Sequence, residues 1–431
     1  MASYFTGDLD SVIREREAEI NELRCSIADL KVSLSCYHEI RKLGDGASGE
    51  VKLYVDQRTN QLVSIKTLKD DISDREQSVY ARLTFFREAK LTHQFQHPTI
   101  IQFIGCNYPN STKMSDHAFI TEFAENYSLS SVLEKINENP RYNQKWFKTQ
   151  RAIIAFGVAV AFMVIHHQGI IHRDLKPENI LLNRSFEPKI ADFGGARLNN
   201  QAAKTGIGTV KYLAPEILLK TQKTYSFPVD VYSYCILLIQ LFTLQEPYKD
   251  VPYTYGIIAL IKSFLENGEH YPIPDDLQES MKQLITAGLD FSDVNRPTFA
   301  DIVENYLQDI TAYFGDIDVE QFNKYKDKVF TELLQPPDDE SIYQQPIIDE
   351  RMMLFRPPEL FEYDFAQGEF LSTEHELFET QEYDEGEDLM QSLRRVLCQI
   401  LTQNESDSQD YEEPFELLTR IFNKTNNGYA G

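Results

Sequence analysis

The sequence is poor in cysteine, in basic residues and in long apolar runs, and each shortage narrows the classes of protein to consider. Its five cysteines are scattered through 431 residues without paired or metal-like spacing, which favours a reducing compartment and a cytoplasmic protein. Lysine and arginine number 42 against 67 aspartates and glutamates, giving a net charge of −25. Because such a surface would repel phosphates, we expect no binding to nucleic acid.

No segment of the sequence is predicted to cross a membrane. The N-terminus has no basic region followed by an apolar one, so we expect no signal peptide. The most apolar run, residues 152–165, is shorter than the roughly 20 residues that span a bilayer. We interpret this run as a buried helix of a globular protein.

The first 36 residues show a heptad pattern. Apolar residues recur at both seam positions of the repeat: Ile13, Ile20, Ile27 and Leu34 at the first, and Leu9, Leu23 and Leu30 at the second. Isoleucine at the first position with leucine at the second favours a parallel two-stranded coiled coil and hence a homodimer. The alternative is an amphipathic helix that packs on its own domain.

Three regions follow from the patterns along the chain. Residues 1–36 form the heptad helix, and residues 37–315 predict an α+β domain, with short strands around one helix first and long helices later. Residues 316–431 form a tail with 28 acidic and nine basic residues. The tail is predicted to be either a solvated, partly disordered extension or a regulatory segment whose helix near 389–401 docks on a partner or on the domain itself.

A glycine-rich motif lies near the start of the α+β domain. Gly44, Gly46 and Gly49 precede Val51 between two strand patterns, and glycine lets the backbone approach a phosphate closely. The same spacing could form a flexible hairpin, or a dinucleotide site if a helix followed. Because the next residues alternate like a strand, a lid over the phosphates of ATP is favoured.

Lys66 lies within the next apolar strand pattern. Burying an unpaired ammonium is expensive, so Lys66 needs a carboxylate partner. Glu88, on the helix that follows, is the best candidate. Taken alone, the tetrapeptide at residues 63–66 could instead place a surface lysine at a strand end.

The segment from His172 to Asn179 is the most specific signal. An aspartate with an asparagine five residues later can serve a hydroxyl nucleophile and a metal ion together: Asp174 would accept or orient the substrate proton, and Asn179 would bind Mg²⁺. Asp192, which opens an Asp-Phe-Gly triplet, would supply a second hard oxygen ligand. Ala-Pro-Glu follows at 214–216, and chance does not produce this order and spacing.

This ordered set resembles the protein kinase domain over about residues 37–314, and "GTVKYLAPE" and "DVYSYCILL" are most similar to the tyrosine-kinase-like group. The resemblance implies a bilobal kinase fold, a protein substrate, and ATP with Mg²⁺ as cofactors. It also assigns residues outside the central motifs, in the adenine pocket and in the frame of the large lobe. These are Thr121 as the gate of the pocket, the backbone of Glu122–Ala124 as the hinge, Val51 and Leu181 around the adenine, Asp230 as anchor of the catalytic loop, and Arg296 as partner of Glu216.

Two residues depart from the family pattern. Ser64 stands where the family usually has an alanine against adenine, and we expect a modest effect on ATP affinity. Thr92 stands four residues after Glu88, where the family usually has a large apolar side chain. We expect Thr92 to pack less well, so that the active state is less populated, unless the helix register is locally shifted.

The resemblance favours serine or threonine as the acceptor. Lys176, two residues after Asp174, is typical of serine/threonine kinases and can stabilise charge on the transferring phosphate. Thr209 is also typical of them, whereas "PVDVYSYCILLIQLFT" would suit a tyrosine kinase. Arg173 indicates an activation segment ordered by phosphate, for which Thr205 is the candidate site; otherwise Thr205 is an unmodified exposed residue.

Two other functions compete with catalysis. A pseudokinase would use the fold only to recruit partners, but such chains usually lose one of the residues that Lys66, Asp174 and Asp192 provide here. Alternatively, assembly through the heptad helix and the tail is the main task and catalysis is secondary.

Overall fold

The computed structural model describes residues 9–46, 49–69, 75–109, 113–138, 145–198, 209–219, 225–251, 253–334, 363–364 and 369–370. Thr205 and the predicted helix near 389–401 lie outside these residues.

The small lobe combines one antiparallel sheet with two helices. Its helices are α1 (Leu9–Ser26) and α2 (Arg75–Gln94), and its strands are β1 (Tyr37–Gly46), β2 (Gly49–Asp56), β3 (Leu62–Leu68), β4 (Phe103–Asn107) and β5 (Ala118–Glu122). The strand order is β1-β2-β3-β5-β4. Along β3, Val63 and Ile65 are buried in the core while Ser64 and Lys66 alternate with them, so the strand turns its polar residues toward the opposite face.

The large lobe is helical. Its helices are α3 (Leu129–Glu138), α4 (Lys145–His167), α5 (Pro215–Leu218), α6 (Pro228–Thr243), α7 (Tyr253–Asn267), α8 (Glu279–Gly288), α9 (Phe299–Gln308), α10 (Thr311–Phe314) and α11 (Val319–Leu334). Short strands pair in the loops between them: β6 (Ile170–Ile171) with β9 (Arg197–Leu198), and β7 (Ile180–Leu182) with β8 (Pro188–Ile190). Later in the chain, two strands of two residues each, β10 (Tyr363–Asp364) and β11 (Glu369–Phe370), form an antiparallel pair. The predicted α+β fold of two lobes is confirmed.

Helix α4 forms the centre of the large lobe, as its apolar sequence predicts. The segment Lys148–His167 is long and apolar enough to cross a bilayer, but 78% of its most apolar stretch is buried inside the lobe. Its side chains join those of α6 in one core cluster. The apolar run is therefore a core helix.

The heptad helix packs against α2 of its own domain in this structure. Ile13, Ile20 and Ile27 are each 3% exposed or less, in one core cluster with residues of α2 such as Val79 and Leu83. The described residues agree with the alternative, in which the helix packs on its own domain, and the two-stranded coiled coil stays a prediction. The heptad pattern defines an apolar stripe, but not which surface covers it.

The folded chain continues beyond the predicted domain end at residue 315. Phe322 of α11 packs edge-on against Phe156 of α4 with ring centroids 5.2 Å apart. The N–H of Asp318 donates to the Thr149 hydroxyl at 2.9 Å. The packed chain therefore extends through α11, because an amphipathic helix with a buried face lies within a region whose overall charge is negative.

A buried ion pair joins distant parts of the large lobe, as the resemblance implied. Arg296 donates from Nη1 and Nη2 to the two Glu216 carboxylate oxygens at 2.7 and 2.9 Å, and its Nη1 and Nε also reach backbone carbonyls. Both residues are about 5% exposed or less. Removing one partner would leave the other charge buried without compensation.

Arg296→Met is therefore expected to lower the free energy of unfolding by about 3–5 kcal/mol. The measurement is urea unfolding followed by tryptophan and far-ultraviolet signals. Lys211→Met is the matched control, because Lys211 pairs with Glu246 at 2.6 Å where the Glu246 side chain is 58% exposed, and such pairs contribute about 1 kcal/mol or less. Equal losses in the two variants would contradict the structural role of the buried pair.

Candidate active site

Asp230 at the start of α6 anchors the catalytic loop. Its carboxylate accepts the backbone N–H groups of His172 at 2.9 Å and Arg173 at 2.8 Å, and the ring of His166 lies 2.8 Å away. Burial alone would raise the pKa of Asp230, but these partners outweigh it and hold the pKa below its ordinary value. The two hydrogen bonds from these backbone N–H groups also hold Arg173 at φ +66°, a conformation that L-residues rarely adopt.

The anchored loop places Asp174 among three polar side chains. Its Oδ1 accepts the backbone N–H of Thr209 at 3.0 Å and the Thr209 hydroxyl at 3.3 Å. Its Oδ2 accepts the Asn179 amide at 2.9 Å and lies 2.8 Å from Lys176 Nζ. Lys176 also donates to the Thr209 hydroxyl at 2.8 Å. The structure thus brings Asp174, Lys176, Asn179 and Thr209 into one cluster.

Lys66 has two carboxylates near its ammonium. Its Nζ lies 3.9 Å from Asp192 Oδ2, whereas no ion pair within 4.0 Å to Glu88 is found among the described residues. Glu88 is nevertheless close: a Cβ on Gly194 would lie 3.2 Å from its Oε2. The predicted partner Glu88 therefore lies beside the turn that carries Asp192, and Asp192 is the carboxylate nearer to Lys66.

The charges of this group are mutually dependent. Burial raises the pKa of Glu88 to about 7, with Asp192 adding to the rise and Lys66 opposing it. Burial would also raise the pKa of Asp192, but Lys66 and His172 hold it below the ordinary value. Both carboxylates raise the pKa of Lys66 against the effect of its burial. Lys66 is therefore charged beside an ionised Asp192.

The sheet register collects the residues predicted to surround the nucleotide. Val51 lies opposite Lys66, and Ser64 lies opposite Thr121. Within the hairpin, Gly44 pairs with Val51 and Gly46 with Gly49. Leu181 approaches from the large lobe, where it bridges Ser128 just after the hinge.

The glycines of the hairpin have different reasons for being glycine. A Cβ on Gly49 would lie 2.2 Å from the carbonyl oxygen of Thr67 on β3, so the close approach of two strands requires a glycine there. A Cβ on Gly44 would meet no protein atom within 4 Å. Gly44 thus leaves open space at the cleft, which suits a lid over phosphates.

The hinge is fixed to the sheet and to the large lobe. The N–H of Glu122 donates to the Gln102 carbonyl at 3.0 Å, and its carboxylate pairs with Lys189 at 2.8 Å. Ala124 is buried, with its carbonyl accepting the N–H of Tyr127 at 3.1 Å. The Glu122 side chain therefore joins the predicted hinge to β8 of the large lobe.

Phe95 takes part in the site without having been predicted. Its ring stacks on Phe193 with centroids 5.1 Å apart, and the His172 ring packs edge-on against Phe193 with centroids 5.1 Å apart. Thr92, expected to pack poorly, is 4% exposed and donates its hydroxyl to the Glu88 carbonyl at 2.8 Å. An aromatic residue three positions after Thr92, directly beyond the end of α2, was the available signal.

The site offers two hard oxygen ligands suited to a divalent cation. The Asn179 amide nitrogen donates to the carbonyl and the carboxylate of Asp174 at 2.8 and 2.9 Å, which leaves the amide oxygen for a ligand. The backbone N–H of Ala191 donates to the Asn179 carbonyl at 2.9 Å, so the neighbouring ionised Asp192 lies beside it. These donors fit an ion whose remaining ligands are phosphate and water oxygens.

Comparison with known proteins agrees with this geometry. The family model for the protein kinase domain matches residues 37–307. The chain belongs to the protein kinase family. The predicted similarity to the tyrosine-kinase-like group is confirmed as well.

Several curated kinases are similar to this kinase. An RGS domain-containing serine/threonine-protein kinase A of Dictyostelium discoideum is 32% identical over 307 residues, which cover 70% of this chain and 24% of that protein. The serine/threonine/tyrosine-protein kinase HT1 of Arabidopsis thaliana is 30% identical over 265 residues, covering 61% of this chain and 63% of that protein. The serine/threonine-protein kinase STY46 of the same plant is 28% identical over 281 residues, covering 64% and 44%. The chain thus spans less than two thirds of each of these relatives.

The loop between α2 and β4 connects this site to the large lobe. The N–H of Ile190 on β8 donates to the Thr99 carbonyl at 2.8 Å, and Ile101 returns a bond to the Ile190 carbonyl at 2.9 Å. The buried His97 ring lies 2.6 Å from the Thr99 hydroxyl, while its Nε2 has no partner. Burial, assisted by Lys189, lowers the pKa of His97 to about 3.

His97 is expected to make the folded state sensitive to mild acid. Its folded pKa lies below the ordinary value of 6.5, so its contribution to stability is complete above pH 6.5 and is lost as the pH falls toward 3. Between pH 7 and pH 5 this loss amounts to about 2 kcal/mol. Urea unfolding over this range should give a flatter pH profile for His97→Gln than for the wild type, and an unchanged profile for His38→Gln at an exposed position. Parallel profiles for wild type and His97→Gln would refute the prediction.

Proposed function

We propose that this chain transfers the γ-phosphate of ATP to serine or threonine hydroxyls of protein substrates. The observation that carries the proposal is the cluster around Asp174, in which Lys176 and Thr209 contact both the carboxylate and each other. A carboxylate with a positioned cation beside it can receive the proton of an alcohol and stabilise charge on the transferring phosphoryl group. The names of the similar proteins support serine/threonine specificity.

Each residue has a separate task in the proposed reaction. Asp174 accepts the hydroxyl proton as the oxygen attacks, and Lys176 stabilises the equatorial oxygens of the phosphoryl group. Lys66 holds the phosphates of ATP from the sheet side, opposite Val51 of the glycine-rich hairpin. The in-line arrangement of hydroxyl and phosphate then depends on how rigidly Asp230 holds the loop.

We propose Mg²⁺ as the cation, held by Asn179 and Asp192. When bound, the cation would neutralise negative charge on the phosphates. The support is the chemistry of the ligands: one amide oxygen and one ionised carboxylate are hard donors, and Mg²⁺ usually takes one or two protein carboxylates together with substrate phosphates.

Asp174→Asn is expected to lower phosphate transfer by a factor of about 10²–10⁴, because the proton acceptor is lost. Incorporation of labelled phosphate from ATP into a generic protein substrate measures the effect, and Asp316→Asn, an exposed aspartate outside the site, is the matched control. Phosphoamino-acid analysis of the product should show phosphoserine or phosphothreonine. Equal activity of the two variants would contradict the mechanism, and phosphotyrosine alone would contradict the specificity.

We also propose that phosphate on the activation segment at Thr205 orders the segment. Burial lowers the pKa of Arg173 to about 10, and the nearby Arg197 cation contributes to this. Arg197 lies on β9, directly before the segment that carries Thr205. Two cations that disfavour each other's charge form a natural binding site for a phosphate dianion.

Thr205→Ala should then lower kcat of the phosphorylated enzyme by roughly ten-fold or more, since segment order is lost. Activity is compared before and after phosphatase treatment, with Thr205→Ser as the variant that retains the acceptor. Loss in both variants, or no loss in Thr205→Ala, would contradict the role of a phosphate at this position.

The remaining predictions from the sequence stay proposals. A cytoplasmic location is supported by the scattered cysteines, and Cys25, Cys36, Cys106 and Cys235 are free thiols in the structure. Absence of nucleic-acid partners is supported by the net charge of −25. A homodimer through residues 1–36 would require the isoleucines of α1 to leave the core in which the structure places them.

A further inference from the structure

Helix α1 contacts the helix that carries Glu88 along an apolar row. The row consists of Ile13 and Ile20 of α1 and Ile27 directly after it, which are 2–3% exposed and share a core cluster with Val79, Leu83 and Phe86 of α2. The spacing of seven on α1 and of three to four on α2 presents one face of each helix to the other. Burial of three isoleucines holds the two helices together far more strongly than surface charges could.

Charged side chains fix the register of this contact. Arg87 donates from Nε to the Glu19 carboxylate at 2.8 Å, and Arg82 lies 3.5 Å from Glu17. The guanidinium of Arg16 lies 6.0 Å from the ring centroid of Tyr80. Because Arg87 directly precedes Glu88, Glu19 acts on the turn of α2 that enters the active site.

The chain after α1 is hydrogen-bonded to β4, an edge strand of the sheet. The N–H of Val32 donates to the Cys106 carbonyl on β4 at 3.0 Å, and the Tyr108 hydroxyl donates to the Ile27 carbonyl at 3.4 Å. A Cβ on Gly105 would lie 2.8 Å from the Leu30 carbonyl oxygen, so β4 has a glycine where this segment crosses it. Residues 9–32 are therefore attached both to α2 and to β4.

The attachment bears directly on the site. Glu88 approaches Gly194 of the metal-binding turn, and Phe95 just beyond α2 stacks on Phe193 of the same turn. A shift of α2 would move Glu88 and Phe95 together relative to Lys66 and Asp192. Residues that hold α2 thus influence the phosphate-binding charges without touching them.

We propose that Glu19 and Ile20 are positioning residues for the kinase reaction, acting through Arg87 and the core face of α2 on Glu88. The proposal goes beyond the proposed function and rests on it for the activity measured. It also makes docking of α1 and formation of a coiled-coil dimer mutually exclusive, since both need the same isoleucine row.

The test reverses the charges of the Glu19–Arg87 pair, first singly and then together, in the full chain. Glu19→Arg should lower kcat about two- to five-fold, as expected for loss of a partly exposed ion pair, and raise hydrogen exchange of α2 amides. The double variant Glu19→Arg with Arg87→Glu should restore both. Glu22→Arg is the matched control, because Glu22 is exposed on the same helix and its reversal should change neither. The KM for ATP should change less than kcat, because Glu88 acts on Lys66 rather than on the hinge.

Ile20→Asp extends the test to the apolar row. It should lower kcat more than ten-fold and increase hydrogen exchange of α2 amides, while slow exchange of α6 shows that the large lobe remains folded. If the wild type were inactive, the proposed function would fail, yet hydrogen exchange would still test the positioning role. The proposal is overturned if α2 exchange is unchanged in both Ile20→Asp and Glu19→Arg, or if the charge exchange fails to restore kcat. It is also overturned if the wild type is a dimer that Ile20→Asp dissociates without altering α2.

Discussion

The active site depends on the hydrogen bonds of one buried carboxylate, that of Asp230. An ionised group without solvent is costly unless it is fully bonded, and Asp230 obtains its partners from the backbone of the catalytic loop and from His166. The loop in turn can hold Arg173 in an uncommon conformation only because these bonds oppose the strain. Asp174 follows immediately, so its direction toward Thr209 and Lys176 is set by a residue 56 positions away in the sequence.

The second constraint is that one ammonium is shared by two carboxylates. Lys66 is closer to Asp192 than to Glu88 in this structure, and burial, with Asp192 adding to it, raises the pKa of Glu88 to about 7. Two negative groups cannot both be fully compensated by one cation, so the position of α2 decides how the charge is divided. This links the small lobe's helices to the chemistry, because α1 and Phe95 both restrict where α2 can lie.

The N-terminal helix shows where pattern reasoning was sufficient and where it was not. The heptad predicted a helix with an apolar face over residues 1–36, and the structure has this helix over Leu9–Ser26, since the period of the pattern fixes which side chains share a side. It did not identify the covering surface, because isoleucine packs equally well against a second copy or against Val79 and Leu83 of the same chain. The predicted boundary at residue 315 excluded α11 for a related reason: the acidic composition of the surrounding region concealed the local amphipathic face of this helix.

The sequence by itself determined the chemical groups and the fold class. Lys66, Asp174, Asn179 and Asp192 could be named because a reaction needs particular functional groups, and their order and spacing on strands and loops restrict the fold that can unite them. Only the tertiary structure decided which groups are in contact: Asp192 rather than Glu88 nearest to Lys66, Phe95 against Phe193, and α1 against α2. Such contacts join residues far apart in the chain, and distances between them follow from the packing of whole helices and sheets, to which no local pattern is sensitive.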